Sequence, residues 1–135
     1  MFDFKALFDL SDRTALVVGS GSGIGRSSAM GLAQFGAHVI CADVDAEAAK
    51  ASASEITQTD GSAESIHLDM CDPQSILSGL DHIGRVHILV STPGINVRKP
   101  ILDITDEEFD RVINLNLKGT FRLVREVSRN MVANG

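Results

Sequence analysis

Apolar residues occur along this chain in short runs that alternate with longer segments of helical periodicity. The runs at residues 15–18, 38–42, 65–68 and 85–90 contain Val, Ile and Leu at the density expected of buried strands. Between them, apolar side chains recur every three or four residues, as on one face of a helix. The pattern therefore predicts four strands that alternate with helices.

Polar residues mark the starts of the predicted helices. The first helix covers residues 24–35, with Phe35 among the side chains facing the sheet. Asp45 precedes the second helix and Asp72 the third, each where a side-chain oxygen can accept a hydrogen bond from the first turn. These positions predict N-caps for both helices.

The last predicted helix begins with a capping box. Thr105 is its N-cap, Glu108 follows at the third helical position, and the helix continues to about residue 132, with a bend at Gly119. Its apolar positions extend over more than one face, which predicts burial on more than one side. They are Leu115, Leu117, Phe121, Leu123, Val124, Val127 and Met131.

A glycine-rich loop follows the first strand. It reads GSGSGIG, with glycines at Gly19, Gly21, Gly23 and Gly25. Glycine allows positive φ and lets a ligand approach the backbone, while the amino end of the following helix offers unpaired N–H groups. The loop therefore predicts a phosphate-binding site.

Four βα units of this kind predict one α/β domain covering residues 1–135. Right-handed crossovers and a phosphate loop after the first strand favour a doubly wound, Rossmann-type parallel sheet with the strand order 3-2-1-4. In this order the fourth strand is an open edge, so the sheet is expected to be half built.

Two aspartates stand at the ends of neighbouring strands. Asp43 can bind the two ribose hydroxyls of an adenosine, and Asp69 can accept a hydrogen bond from the adenine amino group. Both lie at the carboxyl edge of the sheet, beside the point where the strand order reverses. A strand-terminal turn or an N-cap remains open as the alternative for each.

Charge and composition narrow the classes of function. The net charge is −6, and Lys and Arg do not cluster, which argues against a nucleic acid partner. Two cysteines and four scattered histidines offer no metal-ligand spacing, so no metal site is expected. The apolar runs are too short to cross a membrane, and the first residues are acidic where a signal peptide would be basic. A cytoplasmic protein is expected.

Four motifs, in the correct order, resemble the classical short-chain dehydrogenase/reductase family. GSGSGIG at residues 19–25 is similar to the family's TGxxxGIG loop, and Asp69 with Met70 matches its Asp-Val pair. LVSTPG at residues 89–94 stands where the family has a strand ending in Asn-Asn-Ala-Gly. FDRVINLNLKGTF at residues 109–121 is similar to the helix that carries the family's catalytic asparagine.

The resemblance implies an oxidoreductase that transfers a hydride between NAD(H) and a small alcohol or carbonyl substrate. The catalytic asparagine, which holds a water of the proton relay in the family, corresponds to Asn116. NAD is favoured over NADP, because Asp43 would repel a 2′-phosphate while Ser22 and Val44 are neutral. The implied cofactor-binding residues are Gly19, Gly21, Ser22, Gly23, Ile24, Gly25, Asp43, Asp69, Met70, Ser91 and Gly94.

The chain departs from the family pattern in two places. Ser91, Thr92 and Pro93 replace Asn-Asn-Ala, so hydroxyls must substitute for the side-chain amides that tie the central strands together. The sequence contains no tyrosine, and the family's catalytic Ser and Tyr-x-x-x-Lys motif would lie after residue 135. The chain is therefore expected to be the N-terminal part of such an enzyme, which in this family is often a homo-oligomer.

Two other interpretations remain. A non-catalytic nucleotide-binding or assembly module would use the same loop without the missing catalytic groups. An S-adenosylmethionine-dependent methyltransferase also combines a glycine loop with carboxylates at strand ends. Against the methyltransferase, no acidic residue lies within the first strand just before the glycines, and GIG at the helix start favours a dehydrogenase.

Overall fold

The structure is a computed structural model that describes residues 5–135. Its four strands form one sheet and are parallel throughout. Its strands are β1 (Thr14–Val18), β2 (His38–Asp43), β3 (Ser62–His67) and β4 (Ile88–Ser91). Their order is β3-β2-β1-β4, with Val17 paired to Cys41 on one side and to Val90 on the other. This arrangement confirms the predicted Rossmann-type topology.

Helices connect the strands and cover both faces of the sheet. They are α1 (Gly23–Gln34), α2 (Ala46–Gln58), α3 (Pro73–Ile83), α4 (Asp106–Ile113) and α5 (Thr120–Asn134). Short 3₁₀ turns lie at Lys5–Phe8 and Ile101–Asp103. None of the helices in the described part of the chain combines the length and the apolar character needed to cross a membrane.

Side-chain caps define three of the helix starts as the sequence predicted. Asp45 accepts hydrogen bonds from the N–H groups of Glu47 and Ala48, and Asp72 accepts one from Gln74. Thr105 and Glu108 form the complete capping box at the start of α4. Each cap satisfies N–H groups that have no acceptor within their own helix.

The core consists of two apolar layers, one on each face of the sheet. Leu16 and Val18 of β1 point into the layer covered by α3 and α5, whereas Ala15 and Val17 point into the layer covered by α1 and α2. This alternation follows from the two-residue period of a strand. This packing fixes the strands, and with them the starting points of the loops at their carboxyl ends.

The structure corrects the bounds of two predicted strands. β3 begins at Ser62, although its first residues carry no apolar run, because Ser62 pairs in parallel with His38 of β2. β4 begins at Ile88 and ends at Ser91, so the run at 85–90 starts before the pairing with β1 does. In both cases the pairing with the neighbouring strand sets the ends.

Two expectations about helix faces were wrong. Phe35 is 55% exposed and packs on Phe8 instead of the sheet, with the ring centroids 6.5 Å apart. The last helix itself runs without a break from residue 106 to residue 134, as predicted, but its middle section, Asn114–Gly119, is π-helical. After this segment, Leu123 and Val127 are buried while Phe121 is 61% exposed, so α5 is buried on one side only.

Candidate nucleotide-binding site

A cleft of about 470 Å³ opens at the carboxyl ends of the strands. It lies between the loop after β1, the end of β2, the turn after β3 and the segment after β4. This is the position at which doubly wound sheets bind their ligands, because the strand order reverses there. Of the residues predicted from the sequence, those lining the cleft are Gly19, Ser22, Gly23, Ile24, Gly25, Asp43, Asp69, Met70 and Gly94.

The glycines of the loop are required by close contacts. Gly19 has φ +84°, and a Cβ there would lie 2.4 Å from Thr92 Oγ1. A Cβ on Gly25 would lie 2.0 Å from the carbonyl oxygen of Gly19, which is a backbone atom that cannot turn aside. The loop can therefore fold back on itself only without side chains at these two positions.

The amino end of α1 is left open beside the cleft. Arg26 makes the first backbone hydrogen bond of the helix, to the carbonyl of Ser22, so the N–H groups of Gly23, Ile24 and Gly25 precede the hydrogen-bonded ladder. Within the described chain, the side chain of Ser22 makes no capping hydrogen bond. The first turn also lacks acidic residues. An anion at this end would meet unpaired N–H groups and the positive end of the helix dipole.

Asp43 is held in place at the edge of the cleft by two backbone donors. Its Oδ2 accepts a hydrogen bond from the N–H of Gly21 at 2.9 Å, and its Oδ1 accepts one from the N–H of Asp45 at 3.0 Å. Gly21 itself does not line the cleft and instead orients the carboxylate that does. Each carboxylate oxygen retains further acceptor capacity for a ligand hydroxyl.

The turn after β3 carries Asp69, Met70 and Cys71. Asp69 Oδ1 accepts a hydrogen bond from the N–H of Cys71 at 2.8 Å, which closes the turn. Arg122 of α5 donates to the carbonyl of Cys71 at 3.3 Å and connects this turn to that helix. The turn is thus fixed on both sides, and the side chains of Asp69 and Met70 contribute to the cleft.

Thr92 uses its hydroxyl to make the contact between strands for which the family pattern has side-chain amides. Its Oγ1 lies 3.1 Å from the carbonyl oxygen of Val18 and 3.3 Å from that of Gly19, and its N–H donates to Val18 at 3.0 Å. Ser91, by contrast, lies outside the cleft lining, with its hydroxyl 3.9 Å from the sulfur of Met70. One hydroxyl therefore links the end of β4 to the glycine loop.

Asn116 lies in the π-helical segment and not in the cleft lining. Its Oδ1 accepts a hydrogen bond from the N–H of Ile95 at 3.0 Å, and its Nδ2 donates to the carbonyl of Ile95 at 2.9 Å. This reciprocal pair connects the helix to the segment after β4, whose Ile95 lines the cleft beside Leu115. No sequence pattern marks Ile95 as a site residue, because its pairing with Asn116 uses only its backbone.

Neither cysteine has the lowered pKa of a reactive thiol. Burial raises the pKa of Cys41 to about 11, against a smaller lowering by a hydrogen bond from Ser20. Desolvation and the nearby charge of Asp69 raise the pKa of Cys71, although it borders the cleft. Both thiols are protonated near neutral pH and are poor nucleophiles.

Two solved structures that resemble this chain are described as dehydrogenases. The chain is similar to a short-chain type dehydrogenase/reductase from Mycobacterium marinum, with a TM-score of 0.94 and 33% identity over 98% of this chain and 56% of that one. It is also similar to a hydroxysteroid dehydrogenase from Escherichia coli, with a TM-score of 0.87 and 32% identity over 95% of this chain and 56% of the other.

Two curated relatives similar in sequence are a dehydrogenase and a reductase. A sorbitol dehydrogenase of Cereibacter sphaeroides is 39% identical over 130 residues, covering 93% of this chain and 50% of the relative. An L-xylulose reductase of Mesocricetus auratus is 34% identical over 131 residues, again covering 50% of the relative. The chain thus spans about half the length of the curated relatives it matches.

Residues 13–135 match the sequence profile described as short chain dehydrogenase. This match includes all four strands, the glycine loop and the segment around Asn116. It favours the oxidoreductase interpretation over the methyltransferase. The chain belongs to the short-chain dehydrogenase/reductase family of oxidoreductases.

Proposed function

We propose that this chain is the NAD-binding part of an enzyme that transfers a hydride between NAD(H) and a small alcohol or carbonyl substrate. The observation that carries the proposal is the uncapped amino end of α1, which opens into the cleft beside the fixed carboxylate of Asp43. The glycines also fit a bound dinucleotide, because they keep the loop free of side chains. A Cβ at Gly19 would collide with Thr92, and a Cβ at Gly25 would collide with the carbonyl of Gly19.

Different residues of the cleft would bind different parts of the cofactor. The loop and the N–H groups of Gly23, Ile24 and Gly25 would hold the pyrophosphate, and Asp43 the adenosine ribose. Asp69 and Met70 would border the adenine, and Gly94 would lie toward the other half of the dinucleotide, whereas Ser91 lies outside the cleft lining. A bound nicotinamide supplies or accepts the hydride.

NAD is the proposed cofactor because of the charge at Asp43. The carboxylate would meet a 2′-phosphate with like charge, and its immediate neighbour Val44 is neutral. The nearby cation Arg26 is engaged in a salt bridge with Glu55 of α2. This pairing turns the guanidinium toward α2, and among the described residues no salt bridge joins a cation to Asp43.

Asn116 is the residue of the proposed proton relay that this chain contains. Because both polar groups of its side chain are bonded to Ile95, its side chain acts by holding the segment after β4 against the π-helical turn. The other groups of the relay correspond to no residue of this sequence, which has no tyrosine. Turnover would therefore require catalytic groups additional to these 135 residues.

Calorimetric titration tests the binding function directly. The chain is titrated with NAD, NADP and S-adenosylmethionine under identical conditions. We expect measurable binding of NAD, weaker binding of NADP and none of S-adenosylmethionine. Tighter binding of NADP than of NAD would reject the assignment of Asp43.

Sorbitol and xylulose are the first substrates to test in an enzyme that contains this part, given the names of two relatives.

We also propose that the protein is cytoplasmic and forms homo-oligomers. Both cysteines are free thiols, which suits a reducing compartment. The exposed side of the long helix carries Leu117, Phe121 and Val124, and Arg125 lies over the ring of Phe121 at 5.3 Å. Because such faces are normally covered, a second copy is the proposed partner. A single monomeric species in sedimentation over a range of concentrations would contradict this.

A further inference from the structure

We propose that Ser52 of α2 is a positioning residue that orients Asp43 and thereby contributes to the choice between NAD and NADP. Ser52 is outside the cleft and belongs to none of the motifs that indicate the family. The last step of this inference, from carboxylate orientation to cofactor choice, rests on the proposed function.

Ser52 and Ser20 are polar side chains buried completely within the described chain, and they are connected. Ser52 Oγ donates a hydrogen bond to the carbonyl oxygen of Ser20 at 2.8 Å. Ser20 Oγ in turn donates to the carbonyl oxygen of Ala42 in β2 at 3.2 Å. Since a buried carbonyl without a donor is costly, this hydroxyl fixes the direction in which the Ser20 carbonyl points.

The carbonyl of Ser20 and the N–H of Gly21 belong to one planar peptide unit. Ser52 binds the oxygen end of this unit, and Asp43 Oδ2 accepts from its N–H end at 2.9 Å. A rotation of the unit that released Ser52 would also turn the N–H away from Asp43. The two contacts are therefore mechanically coupled through a single rigid group.

Close packing at Gly21 keeps this peptide unit against the carboxylate. A Cβ on Gly21 would lie 2.6 Å from Cβ of Ala48 and 2.9 Å from Asp43 Oδ2. The helix that carries Ser52 also supplies Ala48, so α2 controls both the position and the direction of the unit. Without the Gly21 donor, Asp43 would retain only the bond from Asp45 and could turn about its side-chain torsion.

The test measures the dissociation constants of NAD and NADP for the full chain and for Ser52→Ala by calorimetry. Loss of one hydrogen bond should weaken NAD binding about 5-fold. NADP binding should change by less than about 2-fold, because the misplaced carboxylate also repels its phosphate less. The matched control is Ser54→Ala, an exposed serine on the same helix, which should leave both constants unchanged.

A double-mutant cycle separates positioning from general stability. In the Asp43→Ala background, Ser52→Ala should have no further effect on NAD binding, since its effect passes through the carboxylate. Equal losses in the two backgrounds would overturn the proposal. Ser52→Cys, which keeps a weak donor of similar size, should recover part of the preference, and it replaces Ser52→Ala in every comparison if the alanine variant does not fold.

Amide hydrogen exchange of the ligand-free chain tests the coupling without any cofactor. The Gly21 N–H should exchange about 10-fold faster in Ser52→Ala, whereas the N–H groups of β2 should be unaffected. Unchanged exchange at Gly21 would overturn the proposal even if NAD binds well. If the unaltered chain bound neither dinucleotide, the proposed function would fail, and the exchange data would still decide whether Ser52 orients the peptide.

Discussion

Thr92 Oγ1 lies 3.1 Å from the carbonyl oxygen of Val18, so this hydroxyl bonds the end of β4 to the end of β1 beside the N–H of the same residue. The same oxygen is also 3.3 Å from the carbonyl of Gly19, the first residue of the glycine loop. A hydroxyl has one hydrogen and shares it between the two carbonyls. The family's amides are thus replaced by a smaller group that serves the same junction.

Thr92→Val should destabilise the chain while keeping its shape. Valine is close to isosteric but leaves the two carbonyls without this donor, so we expect the free energy of unfolding to fall by about 1–2 kcal/mol. Chemical denaturation measures it. Thr92→Ser retains the hydroxyl and should lose less, whereas equal losses in the two variants would assign the effect to the methyl group.

Gly25→Ala should damage folding more than any other small change in α1. Its Cβ would lie 2.0 Å from a backbone oxygen, so the loop or the helix must move, at a cost of at least about 2 kcal/mol. Gly31→Ala in the same helix is the matched control, because no described atom lies within 4 Å of its Cβ. Thermal unfolding should show the control unchanged or stabilised, by up to about 1 kcal/mol.

Asp43→Ala should reduce the preference for NAD. Removing the carboxylate deletes an acceptor for the ribose hydroxyls and the repulsion of a 2′-phosphate, so a difference of about 1–3 kcal/mol in binding free energy should shrink toward zero. Calorimetry with both dinucleotides measures the change. Asp81→Ala removes the same charge from an exposed position on α3 and should preserve the preference.

The stability of the chain should fall as His87 is protonated. His87 Nδ1 accepts a hydrogen bond from the N–H of Thr14 at 2.9 Å, which requires the neutral ring. Desolvation, followed by the positive charges of Arg85 and Arg13, lowers the pKa of His87 below its usual value. The unfolded chain therefore takes up this proton first as the pH falls, and the free energy of unfolding decreases.

Denaturation at several pH values between about 5 and 7 checks this dependence. The contribution of His87 should be complete above the ordinary histidine pKa and should be lost as the pH falls from there through the lower pKa of the folded state. His87→Gln should flatten the curve in this window. His67→Gln, at an exposed position of β3, should not, and a flattened curve for both variants would refute the assignment to His87.

The chain of 135 residues should bind NADH without oxidising it. A donor of suitable pKa beside the reacting oxygen contributes about 10²–10⁴ in rate, and no tyrosine is available to provide it. NADH absorbance with small ketones and sugars measures turnover. Asn116→Ala should leave this null result unchanged while lowering stability by about 1 kcal/mol, because Ile95 loses both partners. Steady turnover that disappears in Asn116→Ala would demand another proton donor.

The sequence predicted those parts of the fold that depend on local chemistry. The strand order followed from apolar runs and the glycine loop, and Asp45, Asp72 and Thr105 cap their helices as expected because capping involves only adjacent residues. β3 began earlier than predicted, since pairing with β2 extends over residues such as Ser62 that carry no strand signal.

Parts of the site that arise from tertiary contacts were not predictable. Ser52 is one small residue in an alanine-rich helix, and its contact with Ser20 joins positions 32 residues apart. The π-helical segment containing Asn116 also interrupts a continuous helical pattern without a proline to mark it. Such features depend on where distant backbone groups come together, which periodicity does not encode.

Because the amino end of α1 is open, we expect the stability of the fold to depend on whether the proposed phosphate is bound there. Three other helices use their own Asp45, Asp72 or Thr105 to satisfy the first turn, whereas in the described chain α1 has no side-chain cap and its first turn is available to the proposed phosphate. A bound phosphate would complete the helix in the way a capping side chain does, and it would raise the melting temperature as its concentration exceeds the dissociation constant. In the glycine loop and α1, the free energy of ligand binding would therefore add to the free energy that stabilises the local fold.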